Sequence, residues 1–414
     1  MKTAVPPADV IENLRLWEPH IHAFVTLEEP PADQPHNGAL SGLSVGIKDI
    51  IDVAGLPTRN GSDACRDVPP AAKDAPVVAA LRNAGASIIG KTTTTEFAFT
   101  DPTACRNPHD LNRSPGGSSS GSGAAVAAGV VDIALGTQTA GSLCRPAAYC
   151  GVVGFKPSYG VLSTAGATPL APSFDSVGII ARSVALARAA FRAMAPAAFA
   201  MPHDNAKTAK VGCWTSDIAP SSETLDALRG ASSAISDTGL LATSGDLNAD
   251  VDRIVTAHRT VMNFEAAAAH GAMLEDERVD LLQPMFLAGL RAGAKISPKQ
   301  VEEAAAFLSA AKQAFWRGLQ GVDIVLTLPV PEGAPLINGT TGYQDWLTPW
   351  TVFGGSLVCL PWGLDTLGRP RSVMLAARPG MDAQLLLGLA GWHALSEKES
   401  TTSCTTRWTQ TFPA

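Results

Sequence analysis

Two stretches of small residues carry serines in settings where a hydroxyl could become a nucleophile. The first runs Ser114-Pro-Gly-Gly-Ser118-Ser-Ser-Gly-Ser-Gly-Ala-Ala-Val-Ala-Ala-Gly129. The second runs Leu135-Gly-Thr-Gln138-Thr139-Ala140-Gly141-Ser142-Leu-Cys144-Arg145-Pro146. Serine is a weak nucleophile until a base takes its proton. No histidine lies near either stretch in sequence, whereas Lys48, Lys91 and Lys156 lie in apolar, strand-like settings. Burial favours the neutral amine, which can then act as a base. Spacing and periodicity do not choose among the three lysines. Ser142 follows Thr139, Ala140 and Gly141, and such small residues let consecutive backbone N–H groups converge on one point, as an oxyanion hole requires.

Two other motifs compete for the chemistry. Gly85-Ala-Ser-Ile-Ile-Gly90-Lys91-Thr92 fits the phosphate-loop pattern letter for letter. Its β-branched Ile88 and Ile89 read as a strand and not as the loop that follows one. Gly117-Ser118-Ser119-Ser120-Gly121 fits the nucleophile elbow G-x-S-x-G. That elbow needs a hydrophobic strand before it, and Asn112-Arg113-Ser114-Pro115-Gly116 cannot make one. It also needs a late histidine, and His258, His270 and His393 all fall in helical patterns. A flexible linker is a third reading of the Gly/Ser stretch. It fails because an apolar Ala/Val helix follows at once.

The elements that must hold these residues alternate in type, which argues for an α/β fold. Strands are expected at Ser44–Ile51, Ser87–Lys91, Asp132–Thr137, Lys210–Trp214, Asp323–Leu328, Leu357–Leu360 and Ser372–Ala377. Helices are expected at Ala75–Ala84, Ser122–Val131, Ser183–Ala195, Glu223–Ser236, Val251–Ala269, Lys299–Leu319 and Met381–Leu395. Ser297-Pro298-Lys299-Gln300 places a hydroxyl at the cap, proline in the first turn and a glutamine that reaches back. The composition shift at Pro196–Lys207 reads as a surface loop.

Composition narrows the function classes. The chain has 414 residues, 46% of them hydrophobic, and a formal net charge of −7, so a large core is available and phosphate-neutralising basic blocks are absent. Nucleic acid is therefore not an expected partner. The longest apolar stretch, Gly123–Gly136, is broken by Asp132 and too short to cross a bilayer. The N-terminus lacks an apolar signal core, so a cytoplasmic location is expected. Seven cysteines without a CxxC pair read as reduced, mostly buried thiols, not a zinc site or a disulfide framework.

These residues resemble the amidase signature family over almost the whole chain. The match includes His22–Thr26, Gly46-Ile47-Lys48-Asp49, Gly55–Thr58, Gly61-Ser62, Gly85 to Thr92, Glu96-Phe97 and Asn107-Pro108. It continues through the Gly/Ser segment, Gly154–Ser158, Asp175 to Gly178, Leu360-Pro361 and Arg378–Asp382. The resemblance implies one domain over residues 1–414, with its signature core at about 40–200 and a single large mixed β-sheet surrounded by helices. It implies Lys48 as the base, Ser118 as a bridging serine after a cis Gly117–Ser118 peptide, and Ser142 as the acyl-accepting nucleophile. The N–H groups of Thr139, Ala140, Gly141 and Ser142 would hold the oxyanion, and no metal or organic cofactor is implied.

Among its branches the chain looks most like malonamidases, which act on small amides carrying a carboxylate. Arg145 and Gln138 are then the candidate substrate-binding residues. Arg145 lies three positions after Ser142, so on a helix the two share a face, and arginine grips a carboxylate with two parallel hydrogen bonds. The alternative is a structural arginine that pairs with an acid or a carbonyl. Aryl amides, carbamates and esters are alternative substrates, and a subunit of a transfer-RNA-dependent amidotransferase is an alternative of another class. A homodimer is left open.

Overall fold

Short apolar segments that could not satisfy their backbone alone are joined into one ten-stranded sheet among the described residues. The computed structural model describes residues 7–28, 37–196, 199, 210–214, 219–237, 249–319 and 321–388. In chain order the strands are β1 (Phe24–Leu27), β2 (Ser44–Lys48), β3 (Ser87–Thr92), β4 (Ile133–Gln138) and β5 (Val153–Lys156). They continue with β6 (Ser176–Ala181), β7 (Val211–Cys213), β8 (Ile324–Thr327), β9 (Leu357–Leu364) and β10 (Pro370–Ala377). Their order across the sheet is β1-β3-β2-β4-β6-β5-β9-β10-β8-β7. The pairings β3–β2, β2–β4 and β8–β7 are parallel and the rest antiparallel, so the sheet is mixed.

The helices are α1 (Pro7–Ile21), α2 (Pro76–Asn83), α3 (Ser120–Ala127), α4 (Cys144–Tyr149), α5 (Val184–Met194) and α6 (Ser222–Ser236). After them come α7 (Val251–His270), α8 (Pro284–Gly293), α9 (Pro298–Gly318), α10 (Thr348–Phe353) and α11 (Asp382–Gly388). At the start of α9 the Ser297 hydroxyl accepts from the Gln300 backbone, and the Gln300 side chain accepts from the Ser297 N–H, so the reciprocal cap forms. Helix α3 is buried on every side and packs against β2, β3 and β4, which is why it is built from Gly, Ser, Ala and Val. It starts two residues before the expected Ser122 and ends at Ala127 rather than Val131.

All seven expected strands form, with shifted ends. β1, β5 and β6 were not expected from the pattern, nor were α1, α4, α8 and α10. Gly178 splits the apolar run of β6, and the structure gives the reason for it. A Cβ there would lie 2.6 Å from Leu143 and 2.7 Å from the Phe155 carbonyl, so the strand makes room for the chain just after Ser142. The stretch Pro196–Lys207 lies outside the described residues except for Pro196 and Phe199, as does the expected α11 extension beyond residue 388. Cys105, Cys144, Cys150 and Cys359 are buried thiols. Among the described residues no helix is long and apolar enough to cross a membrane.

Candidate active site

Central strands β2 and β4 run parallel and deliver Lys48 and Thr137 to the same region. Lys48 is fully buried at the end of β2. Its Nζ donates to Ser118 Oγ at 2.6 Å and to Thr137 Oγ1 at 2.7 Å. Neither partner carries charge. Burial pushes the amine down from the ordinary 10.5 to about 7, partly offset by the Asp175 carboxylate. A buried lysine whose partners are hydroxyls is held close to neutrality at physiological pH.

The other two lysines are engaged differently. Lys91 Nζ lies 2.9 Å from Asp49 Oδ1, both side chains buried, and donates to Thr58 Oγ1 at 2.9 Å. The segment Gly85–Thr92 is thus strand β3 with an ion-paired lysine, followed by a short 3-10 turn at Glu96–Ala98 and not by an α-helix that could cradle a phosphate. Lys156 Nζ donates to the carbonyls of Pro157 and Gly355, each at 2.8 Å, and burial pushes it down to about 8. Spacing left three lysines open; the structure puts only Lys48 among them against a serine hydroxyl.

Ser118 sits on the turn before α3, completely buried, and the Gly117–Ser118 peptide is cis. Ser142 lies between β4 and α4 and is 5% exposed. The two serine segments are stitched together by the Ser119 N–H, which donates to the Ser142 carbonyl at 3.1 Å. Ser119, the elbow candidate, is committed to the scaffold: its hydroxyl donates to the Thr137 carbonyl and accepts from the Thr137 N–H.

The turn over residues 139–142 is held by its carbonyls and side chains. His258 Nε2 contacts the Thr139 carbonyl at 2.8 Å, and Thr351 Oγ1 donates to the Ala140 carbonyl. Thr139 Oγ1 donates to Asp175 Oδ1 at 2.6 Å. Gly141 is pressed against Leu347, where a Cβ would lie 2.9 Å from that side chain. None of these contacts uses the backbone N–H groups of residues 139–142. His258 is no triad base: burial pushes it down to about 4, and its ring packs against Phe174 at a tilt, with centroids 4.3 Å apart. The Cys144 thiol is pushed up to about 12 by burial, so it is no thiolate nucleophile.

Gln138 and Arg145 both enter the site through the protein's own groups. The Gln138 carboxamide oxygen accepts from the N–H groups of Leu143 and Cys144 at 3.1 and 3.0 Å, and its nitrogen donates to Thr351 Oγ1 at 3.0 Å. It therefore braces the start of α4 and is fully buried. Gln138→Ala leaves two buried N–H groups unpaired, and the expected result is a loss of about 2–4 kcal/mol in a denaturant titration. Arg145 is buried. Its Nε and Nη2 donate to the Gly117 carbonyl at 3.1 and 2.7 Å, and its Nη1 donates to the Gly342 carbonyl at 2.6 Å. Burial pushes the guanidinium down to about 10.

Thr137 and Thr351 were not singled out by sequence, and Asp175 and His258 were named there without the roles they take in holding the turn over residues 139–142. Only the alternation of threonines in Leu135-Gly-Thr137-Gln-Thr139 signals the first of them, because alternate residues on a strand share a face. A cavity of about 100 Å³ opens beside the site, with Thr137, Thr139, Thr168, Asp175 and Ile50 in its wall.

The family model described as Amidase matches residues 26–386. A glutamyl-tRNA(Gln) amidotransferase subunit of Cyanothece sp. is 40% identical over 195 residues, which is 42% of this chain and 40% of that protein. Amidase 1 of Arabidopsis thaliana is 48% identical over 154 residues, 36% of each chain. These matches span two fifths or less of the curated relatives' length. The crystal structure of an amidase aligns with a TM-score of 0.79 at 28% identity and covers 94% of both chains. The 6-aminohexanoate cyclic dimer hydrolase shares the fold, with a TM-score of 0.82 at 23% identity over 94% of this chain and 92% of that one. With a family match that takes in β2, both serine segments and β10, the chain belongs to the amidase family.

Proposed function

We propose that the chain hydrolyses small amides through an acyl-enzyme on Ser142, with Lys48 as the base and Ser118 as the proton bridge. The observation that carries this reading is the 2.6 Å contact between a buried, nearly neutral Lys48 amine and Ser118 Oγ. Ser142 Oγ attacks the amide carbon as its proton passes to Ser118, whose own proton passes to Lys48. The N–H groups of residues 139–142 stabilise the oxyanion. Collapse breaks the C–N bond, and the proton returns from Lys48 through Ser118 to the departing nitrogen. Water then repeats the sequence on the ester, releasing the acid and Ser142. A fluorophosphonate probe tests the assignment: it should label Ser142 in the parent chain and nothing in Ser142→Ala.

The acyl group carries a carboxylate in this proposal, as in malonamate. A guanidinium has five N–H groups, of which the Gly117 and Gly342 carbonyls take three. No carboxylate among the described residues forms a direct ion pair with Arg145, though Asp345 acts on it from farther away, and a buried charge without a contacting carboxylate suits an anionic ligand. Arg145→Ala is expected to raise KM for malonamate about tenfold more than for propionamide. Equal losses on both would reduce Arg145 to its hold on Gly117 and point to uncharged amides, aryl amides or esters.

The amidotransferase relatives favour a second reading, in which the chain is the amide-cleaving subunit of a larger assembly. A net charge of −7 does not suit direct contact with transfer RNA. Stoichiometric partner subunits in a pull-down, with amidase activity only in their presence, would establish it.

A further inference from the structure

The cavity beside Thr137 is not used by the chemistry above, yet its position relates it to one step. In the proposed acyl transfer the proton leaves Ser142 through Ser118 toward Lys48 and returns by the same path to the departing nitrogen. The departing nitrogen therefore sits on the Ser118–Lys48 side of the scissile bond. Thr137, whose hydroxyl accepts from Lys48 at 2.7 Å, forms part of the cavity wall. A group attached to that nitrogen is directed toward this space.

Size and polarity restrict the group. A dry cavity of roughly 150 Å³ holds a benzene ring, so about 100 Å³ accepts a chain of about four non-hydrogen atoms. The wall combines threonine hydroxyls with apolar Ile50, and Asp175 is its only ionisable lining residue. One Asp175 oxygen accepts from Thr139, and the other accepts from the N–H groups of Leu170 and Ala171 at 2.9 and 3.0 Å. A carboxylate offers about four acceptor sites, so one remains for a donor in the cavity. The neighbouring cations do not cancel it. Lys48 lies behind Thr137 and is close to neutral; His270 is turned to the Pro169 carbonyl and His258 to the Thr139 carbonyl, and burial lowers the pKa of both rings.

We propose that this cavity receives a small substituent on the leaving nitrogen, ending in a hydrogen-bond donor such as an ammonium or hydroxyl group, and that Asp175 selects it. The inference rests on the acyl-transfer reading and extends it from the acyl side to the amine side. The chain would then act on N-substituted amides and not on primary amides alone.

The test starts from whichever of malonamate, propionamide and benzamide the chain hydrolyses fastest. On that acyl group, N-(2-aminoethyl), N-propyl and N-carboxymethyl derivatives are compared. The expected kcat/KM for the aminoethyl amide exceeds those of the other two by on the order of tenfold or more, because they leave the last acceptor site unmet or face it with like charge. In Asp175→Asn, checked for folding by its Tm, the advantage over the propyl amide should vanish whatever happens to absolute rates. Hydrolysis of the primary amide by the parent chain with no preference for the aminoethyl group overturns the inference alone. Failure on every amide, primary and substituted, overturns the hydrolase reading and the leaving-group assignment with it.

Discussion

Lys48→Ala is expected to lower kcat/KM for amide hydrolysis by on the order of 10³-fold or more in a protein that stays folded. The amine is placed against Ser118 with no carboxylate in direct contact, so its loss removes the proposed proton acceptor. The other buried lysines respond differently. Lys91→Ala strands Asp49 in the interior without its partner, a cost of about 3–5 kcal/mol that appears in the melting curve. Lys156→Ala releases the Pro157 and Gly355 carbonyls and acts through stability as well. Equal losses of kcat/KM at all three sites in folded protein would remove Lys48 from the role of base.

The pH dependence has a definite sign. Lys48 is lowered to about 7, so the amine is neutral above that pH and kcat/KM should rise as pH passes through about 7. The same shift works against stability. Between about 7 and the ordinary 10.5 the unfolded chain binds a proton that the folded chain does not. The cost is full below pH 7, shrinks across that window and is gone above it. Lys48→Met should therefore be inactive yet at least as stable as the parent at pH 7. A lower Tm for Lys48→Met at pH 7 would count against a strained, nearly neutral amine.

Ser142→Ala is expected to cut turnover by on the order of 10⁴–10⁶-fold with no change in fold. The hydroxyl makes none of the contacts that fix its turn, which run through Thr139, Ala140, Gly141 and Gln138. Mass spectrometry of the acyl-enzyme, trapped with a slow carbamate, should place the added mass on the peptide containing residue 142. Mass on Ser118 instead would exchange the roles of the two serines.

The sequence announced the site's chemistry better than its supports. Ser142 and Ser118 stood out because Gly, Ser and Ala are rarely packed so densely without a tight backbone turn. The proposed base did not: Lys48, Lys91 and Lys156 have similar local surroundings. What separates them is the ion pair of Lys91 with Asp49 and the hold of Lys156 on the Pro157 and Gly355 carbonyls, and neither Asp49 nor Gly355 is near its lysine in sequence. The resemblance to a family pointed to Lys48 where the residues alone could not. Strands β5 and β6 were missed because Gly154 and Gly178 dilute their apolar pattern, and those glycines make room for Ala147 of α4 and for Leu143 just before it. Helices α4 and α10 are six residues each, too short for a periodic signal. Thr351 gives no hint in sequence of its contact with Ala140, because the partner lies in another part of the chain.

That last contact bears on synthesis of the chain. Ala140 and Thr351 are 211 residues apart. At 5–20 residues per second, roughly 10–40 s separate their emergence from the ribosome. Throughout that interval the nascent polypeptide already carries Lys48, Ser118 and Ser142. It lacks Leu347 behind Gly141 and Thr351 beneath Ala140 and Gln138. A half-made chain thus holds the three side chains of the proposed relay without the packing that fixes the turn over residues 139–142.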